Sequence, residues 1–322
     1  MKRMSDYRAM LDEEIKGLNL PVDNLPGLYE PIYYSMSNGG KRLRPVLLLM
    51  TCDAFGGNPE DACRAALGIE MYHNFTLVHD DVMDRSQLRR GKPTVFAKWG
   101  TDTAILSGDV MLTLAGEYMS EVPDRCLRKV LEEFNRMAIG VYEGQQLDME
   151  FEKAEGVSLD RYLEMIRLKT SVLLGASCSI GARIAGASDQ DCEAMYRFGE
   201  ALGIAFQIQD DYLDVYGDAE TFGKPVGGDI NNGKKTFLTL KTLEAGGANA
   251  EALRSAMNLP QGDLRIKTVR NIMTAADMPK VCRKAWEEWS GKAIHSLSDT
   301  NLPKEAAASL KSVVEKLIDR KK

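Results

Sequence analysis

No proline occurs between Pro123 and Pro225, and a stretch of that length built from short strands would need turn-forming punctuation every few residues. Long helices are the reading that such a gap permits. Within it Leu163, Ile166, Leu168, Val172, Leu173 and Ala176 recur at helical intervals, as do Met195, Phe198, Leu202, Phe206 and Ile208, and Ala, Leu and Met are used in place of β-branched runs. Breaks fall at Ser37-Asn38-Gly39-Gly40, Phe55-Gly56-Gly57-Asn58-Pro59, Arg90-Gly91-Lys92-Pro93, Gly223 to Gly233, and Ala245-Gly246-Gly247. Helix starts are expected at Pro59, with Glu60 and Asp61 in the first turn, and at Ser158 as an N-cap. The expectation is an all-α chain forming one domain over residues 1–322, with Glu251 to Lys322 as a charged, amphipathic helical layer.

Composition removes several functional classes. Lys and Arg total 41 against 47 Asp and Glu, a net charge of −6, and there is no basic block of the kind that follows a nucleic-acid backbone. The six cysteines are scattered without a C-x-x-C pair, which argues against a zinc ribbon or a disulfide framework and fits a reduced, cytoplasmic setting. The uncharged stretch from Thr170 to Ala182 is shorter than the roughly 18 apolar residues of a membrane span, and the N-terminal residues lack an apolar signal core.

The chemistry is concentrated in Asp80-Asp81-Val82-Met83-Asp84 and Asp210-Asp211-Tyr212-Leu213-Asp214, each following an apolar helical run. On a helix, residues four apart share a face, so Asp80 approaches Asp84 and Asp210 approaches Asp214, and like charges at that spacing are destabilising. A hard divalent cation relieves the repulsion. Mg²⁺ suits carboxylates without Cys or His, and it commonly takes substrate phosphate oxygens as its remaining ligands. A second constellation is basic: Gly39-Gly40-Lys41-Arg42-Leu43-Arg44-Pro45, Arg89-Arg90-Gly91, Lys169-Thr170, Lys224 and Lys234-Lys235. Arginine forks and lysine point charges are the usual anion receptors. Together the two sets describe a site for one diphosphate bound through metal and another held by cations alone.

These motifs, with His79 before the first acidic run, Gly108-Asp109, Gln145-x-x-Asp148 and Phe206-Gln207-x-Gln209 before the second, resemble in order those of the trans-isoprenyl diphosphate synthases. The resemblance spans Gly39 to about Lys235. It implies an all-helical isoprenoid synthase fold around a deep central cavity, a homodimer, and the two acidic motifs facing each other. It implies that Asp80, Asp84 and Asp210 hold three Mg²⁺ ions with the allylic diphosphate, Asp81, Asp211 and Asp214 acting behind them or through water. Arg89, Lys169, Lys224 and Lys234 would bind that same diphosphate. Lys41, Arg44, His73 and Arg90 resemble the isopentenyl diphosphate site, Thr170 and Gln207 would lie near the reacting carbon, and Asp148 would order the lysine and water network. The activity implied is condensation of isopentenyl diphosphate with dimethylallyl, geranyl or farnesyl diphosphate to a C15 or C20 product.

Chain length in this family turns on residues upstream of the first acidic motif. At about 1.5 Å per residue, Phe75 lies roughly 7.5 Å below Asp80 and Met71 about 13.5 Å. Bulky Phe75 disfavours long products, Thr76 is small, and Tyr72 and Met71 form a second floor. Rival readings are a catalytically silent partner subunit, a longer-chain synthase and a terpene cyclase, the last disfavoured by D-D-x-x-D in both places. Glu70-x-x-His73 is half of a di-iron helical motif, but no second copy accompanies it. His79 is expected to be buried and hydrogen-bonded rather than catalytic, His295 to be at the surface, and Met71, Met83, Met111, Met137 and Met149 to be mostly core filler, with a few lining a flexible lipid cavity.

Overall fold

The computed structural model describes residues 1–217 and 226–318. In chain order its first helices are α1 (Met4–Lys16), α2 (Pro26–Ser37), α3 (Leu43–Ala54), α4 (Cys63–Met83), α5 (Val95–Trp99), α6 (Thr101–Ser120), α7 (Asp124–Lys153) and α8 (Leu159–Ile166). They are followed by α9 (Val172–Ala185), α10 (Asp189–Tyr216), α11 (Gly228–Asn231), α12 (Phe237–Glu244), α13 (Gly247–Ala256), α14 (Asp263–Ala275), α15 (Met278–Ser296) and α16 (Lys304–Ile318). The only sheet among the described residues is a hairpin of β1 (Leu88–Arg89) and β2 (Lys92–Pro93), so the chain is all-α as its proline spacing requires. No described helix is long and apolar enough to cross a membrane.

Two compact units share the chain. One comprises Met1–Arg136, Ala176–Tyr196 and Thr300–Leu310; the other comprises Met137–Gly175, Arg197–Asp299 and Lys311–Lys322.

In the first unit the middle of α3 is apolar on every side, and Val46, Leu47, Leu48, Leu49 and Met50 are all buried, as a helical stretch without a polar face must be. Burying each leucine contributes about 1.5–3 kcal/mol. α4 runs antiparallel to α6: Gly68 lies against Ala115, while His79, eleven residues on, lies over Gly108. Both crossings are close: a Cβ at Gly68 would sit a tight 3.0 Å from Ala115 O, and one at Gly108 would overlap the His79 ring. This packing fixes the height of the C-terminal end of α4, where the first acidic motif begins.

The second unit packs around Phe151, Tyr162, Met165, Ile208, Leu238 and Trp286. The periodic run from Leu163 to Ala176 is not one continuous α-helix. Ser158 caps α8 through Arg161 N as expected, but Arg167–Ser171 forms a π turn before α9. Ser171 Oγ donates to Ile166 O, five residues back, at 3.3 Å. Such widened turns occur often at functional sites, and this one carries Lys169 and Thr170. Gly144 on α7 and Gly203 on α10 let those helices approach its backbone.

One local expectation is corrected. Pro59 opens a 3₁₀ turn, Pro59–Ala62, capped by the Asn58 side chain on Glu60 N, and the α-helix starts only at Cys63. The break expected at Arg90 to Pro93 is there as the β1–β2 hairpin, with Arg90-Gly91 as its two-residue turn.

Candidate functional site

The first acidic motif occupies the C-terminal end of α4, with Asp80 half-buried in the last turn and Asp84 exposed at the cap. Helix carbonyls and the macrodipole make this end negative, so the carboxylates are opposed both by each other and by their own helix. Asp81 turns inward. It is 3% exposed and takes Arg89 in a fork, Nε at 2.9 and 3.0 Å and Nη2 at 2.8 Å. That pair fixes the hairpin to the acidic motif, and Thr94 reinforces it with a 2.7 Å bond to Ser86 O.

Hairpin geometry places Arg90. Both central residues of the turn have positive φ, 53° at Arg90 and 75° at Gly91, which is the I′ requirement normally met by Asn-Gly. An arginine there costs about 1 kcal/mol or more. Its guanidinium donates to Gly39 O, and Gly40 lies flat against it, leaving no room for a Cβ. Arg85, directly after the first acidic motif, and Arg42, at the start of α3, also have positive φ; strain of this kind collects at functional sites. Arg44 Nη1 lies 3.2 Å from His73 Nε2. A guanidinium can only donate, so Nε2 accepts and the ring is neutral. Desolvation, then Arg44, Arg90, Arg89 and Arg42, holds the His73 pKa well below its ordinary value, in agreement. Lys41 is exposed at the start of this loop.

The second acidic motif lies in the last two turns of α10, again at a negative helix end. Asp210 is half-buried, whereas Asp211 and Asp214 are buried. Asp211 accepts from Tyr162 OH, from Phe237 N at 2.9 Å and from Gln207 Nε2 at 3.1 Å. Burial and nearby Asp229 push its pKa up to about 7. Asp214 accepts from Asp229 N at 3.1 Å, and its carbonyl accepts from Gly227 N at 2.7 Å, tying the segment after the helix back onto it. On the π turn, Lys169 Nζ sits 2.6 Å from Asp148 on α7, and Thr170 Oγ1 donates to Gln207 Oε1 at 3.2 Å. The second unit thus gathers Asp148, Lys169, Thr170, Gln207, Asp211 and Tyr162 through successive bonds. Lys234 is half-buried, its N–H on Asp229 O at 2.9 Å. Lys224 lies outside the described residues.

Below Asp80, the upstream face of α4 is aromatic. Phe75 packs edge-on against His79 at 4.7 Å and meets Tyr72 at 5.5 Å, and Tyr72 meets Phe134 at 5.4 Å. Met71 and Tyr72 are fully buried, and the Thr76 hydroxyl donates to His73 O at 2.8 Å. His79 Nε2 bonds Ile105 O at 3.1 Å as expected, but the residue is half-buried rather than buried; His295 is exposed, as expected. Met83 and Met149, expected in the core, are 50% and 43% exposed, because each falls on the outer face of its helix. Glu70 is engaged by Arg42 and Asn74 in a buried cluster. Sequence reading passed over Tyr162 and the Arg42–Glu70 pair; Arg42 stood inside a recognised motif, while nothing in the spacing marked Tyr162.

Whether these residues suit Mg²⁺ is a question of donor type. The candidates Asp80, Asp84 and Asp210 offer hard oxygen donors at helix ends where positive charge is favoured, and they fit. No group of three or more His, Cys, Asp or Glu among the described residues is gathered closely enough to hold an ion unaided.

The pattern of the polyprenyl synthetase family matches residues 26–275. Geranylgeranyl diphosphate synthase of Sulfolobus acidocaldarius is 48% identical over 69% of this chain and 68% of its own. The enzyme of that name from Methanosarcina mazei is 42% identical over 76% and 74%. A crystal structure of a geranylgeranyl pyrophosphate synthase superposes with a TM-score of 0.95 over the whole of both chains at 39% identity.

Proposed function

The chain belongs to the polyprenyl synthetase family and is a prenyltransferase, and from that premise we propose that it extends allylic diphosphates with isopentenyl diphosphate to geranylgeranyl diphosphate (C20). The observation that carries the reading is the repeated D-D-x-x-D at the C-terminal ends of α4 and α10, where helix dipole and mutual repulsion both call for cations.

Asp80, Asp84 and Asp210 would hold Mg²⁺, three ions in all with the allylic diphosphate. When bound, the ions neutralise charge on the departing diphosphate. Arg89, fixed by Asp81, and Lys169, fixed by Asp148, add two cations that need no reorganisation as that charge develops; Lys224 and Lys234 complete the set. Lys41, Arg44 and Arg90 bind isopentenyl diphosphate, and neutral His73 accepts from Arg44, aiming its guanidinium. As the allylic C–O bond ionises, Thr170 and Gln207 turn oxygens toward the cationic carbon. The isopentenyl double bond attacks that carbon, and the proton then lost passes to the released diphosphate. Phe75 closes the tail path, Tyr72 and Met71 lie beneath it, and this aromatic floor accords with a short product.

Ile139, Tyr142 and Met149 are 58%, 41% and 43% exposed on one side of α7, and a second copy of the chain would cover them in a homodimer. The deciding experiment incubates purified protein with Mg²⁺, isopentenyl diphosphate and dimethylallyl, geranyl or farnesyl diphosphate, and sizes the products by chromatography. A C20 product is expected from each primer. Absence of elongation from every primer would mark a silent partner subunit instead.

A further inference from the structure

Arg42 sits between Lys41 and Arg44 but is spent on the protein itself. Its side chain is 4% exposed and that of its partner Glu70 is 3%. The guanidinium donates through Nη1 to Glu70 Oε1 and through Nη2 to Met36 O. Asn74 Nδ2 donates to the same Glu70 oxygen and to Glu70 O, each at 2.8 Å. The residue so held is the N-cap of α3, with φ 51° and ψ 31°, immediately after Gly39 and Gly40 at φ 72° and 124°. A left-handed arginine persists only where its surroundings impose it. Glu70 is also three residues before His73, on the neighbouring face of α4, and its charge acts on Arg90.

We propose that the buried Arg42–Glu70 pair is a positioning clamp for the isopentenyl half of the site. Holding residue 42 left-handed sets the directions in which Lys41 and Arg44 leave the loop. Glu70 supplies the buried negative charge that lets Arg42, Arg44 and Arg90 gather around an uncharged His73. Arg42 is a positioning residue, since it touches Glu70 and Met36 O rather than a substrate. The inference rests on the assignment of Lys41, Arg44, His73 and Arg90 to isopentenyl diphosphate.

A buried ion pair exchanged for apolar residues of similar volume often leaves stability unchanged or raised, whereas removing one partner strands a charge. The informative variant is therefore the double replacement Arg42→Met with Glu70→Met in the full chain. Its KM for isopentenyl diphosphate, its KM for geranyl diphosphate and its thermal unfolding are measured beside those of Arg44→Ala. The clamp predicts a folded double variant whose KM for isopentenyl diphosphate rises tenfold or more while that for geranyl diphosphate changes less than twofold. A folded variant with both constants unchanged, or with both raised alike, overturns it. Should the double variant fail to fold, Arg42→Lys keeps the charge but loses the fork to Met36 O; a rise of about threefold confined to isopentenyl diphosphate is expected, and no selective rise overturns the clamp. Arg44→Ala tests the premise separately. If it leaves the isopentenyl KM unaltered, the substrate assignment fails and the clamp with it.

Discussion

Gly144→Ala puts a single methyl group where α7 meets the π turn. The added Cβ would overlap Lys169 N and stand 2.6 Å from Lys169 Cα and 2.8 Å from Leu168 C. All three are backbone atoms, so no side-chain rotation relieves the clash. Ordinary contact begins at 3.4 Å, and the Cα alone must therefore move by roughly 0.8 Å. Overpacking of this kind costs about 1–3 kcal/mol. The same movement carries Thr170, now 3.2 Å from Gln207, out of hydrogen-bond range and loosens Lys169 from Asp148. Misplacing catalytic groups by about 1 Å lowers rates about 100-fold, so kcat should fall by that order with the denaturation midpoint lowered as well. Product formation at saturating substrates and urea unfolding are the assays. Gly291→Ala on α15 is the control: nothing lies within 4 Å of its added Cβ, and stability should rise by up to about 1 kcal/mol with kcat unchanged. A Gly144→Ala enzyme with wild-type kcat would refute the claim that this contact sets the π turn.

Phe75→Ala opens the aromatic floor and should lengthen the product, read by reversed-phase chromatography; an unchanged distribution sinks the floor argument. Asp80→Asn removes a charged oxygen donor and should lower kcat by about two orders of magnitude or more, with a higher Mg²⁺ requirement, and near-normal turnover would contradict the ligand assignment. Burial pushes the thiols of Cys52 and Cys178 up to about 12 and those of Cys63 and Cys192 to about 11, from an ordinary 9.0. Above pH 9 the unfolded chain therefore binds fewer protons than the folded one, and stability should fall with rising pH between 9 and 12. Urea midpoints across that range, and slow native reaction with a thiol reagent at pH 8, check the sign.

What the sequence could reveal was chemistry written in residue type and spacing. The proline gap gave the long helices, and the acidic and basic motifs gave the candidates. Backbone geometry was another matter: a π turn has no compositional signature, and the left-handed Arg42 and Arg90 break the residue preferences by which such turns are recognised. The letters of the acidic motifs also mislead about equivalence. In each D-D-x-x-D the middle aspartate is an anchor, Asp81 holding Arg89 and Asp211 holding Tyr162, Gln207 and Phe237 N. Asp214 is buried as well and accepts from Asp229 N, whereas Asp84, at the same place in the first motif, is exposed. The difference has a local cause: chain returning to α10 at Gly227 covers Asp214, while Asp84 closes a helix that leads away into the hairpin. Two carboxylates therefore remain outward in the first motif and one in the second, which supports the proposed division of three ions among Asp80, Asp84 and Asp210. Counting aspartates would have made the two motifs interchangeable, and burial distinguishes them.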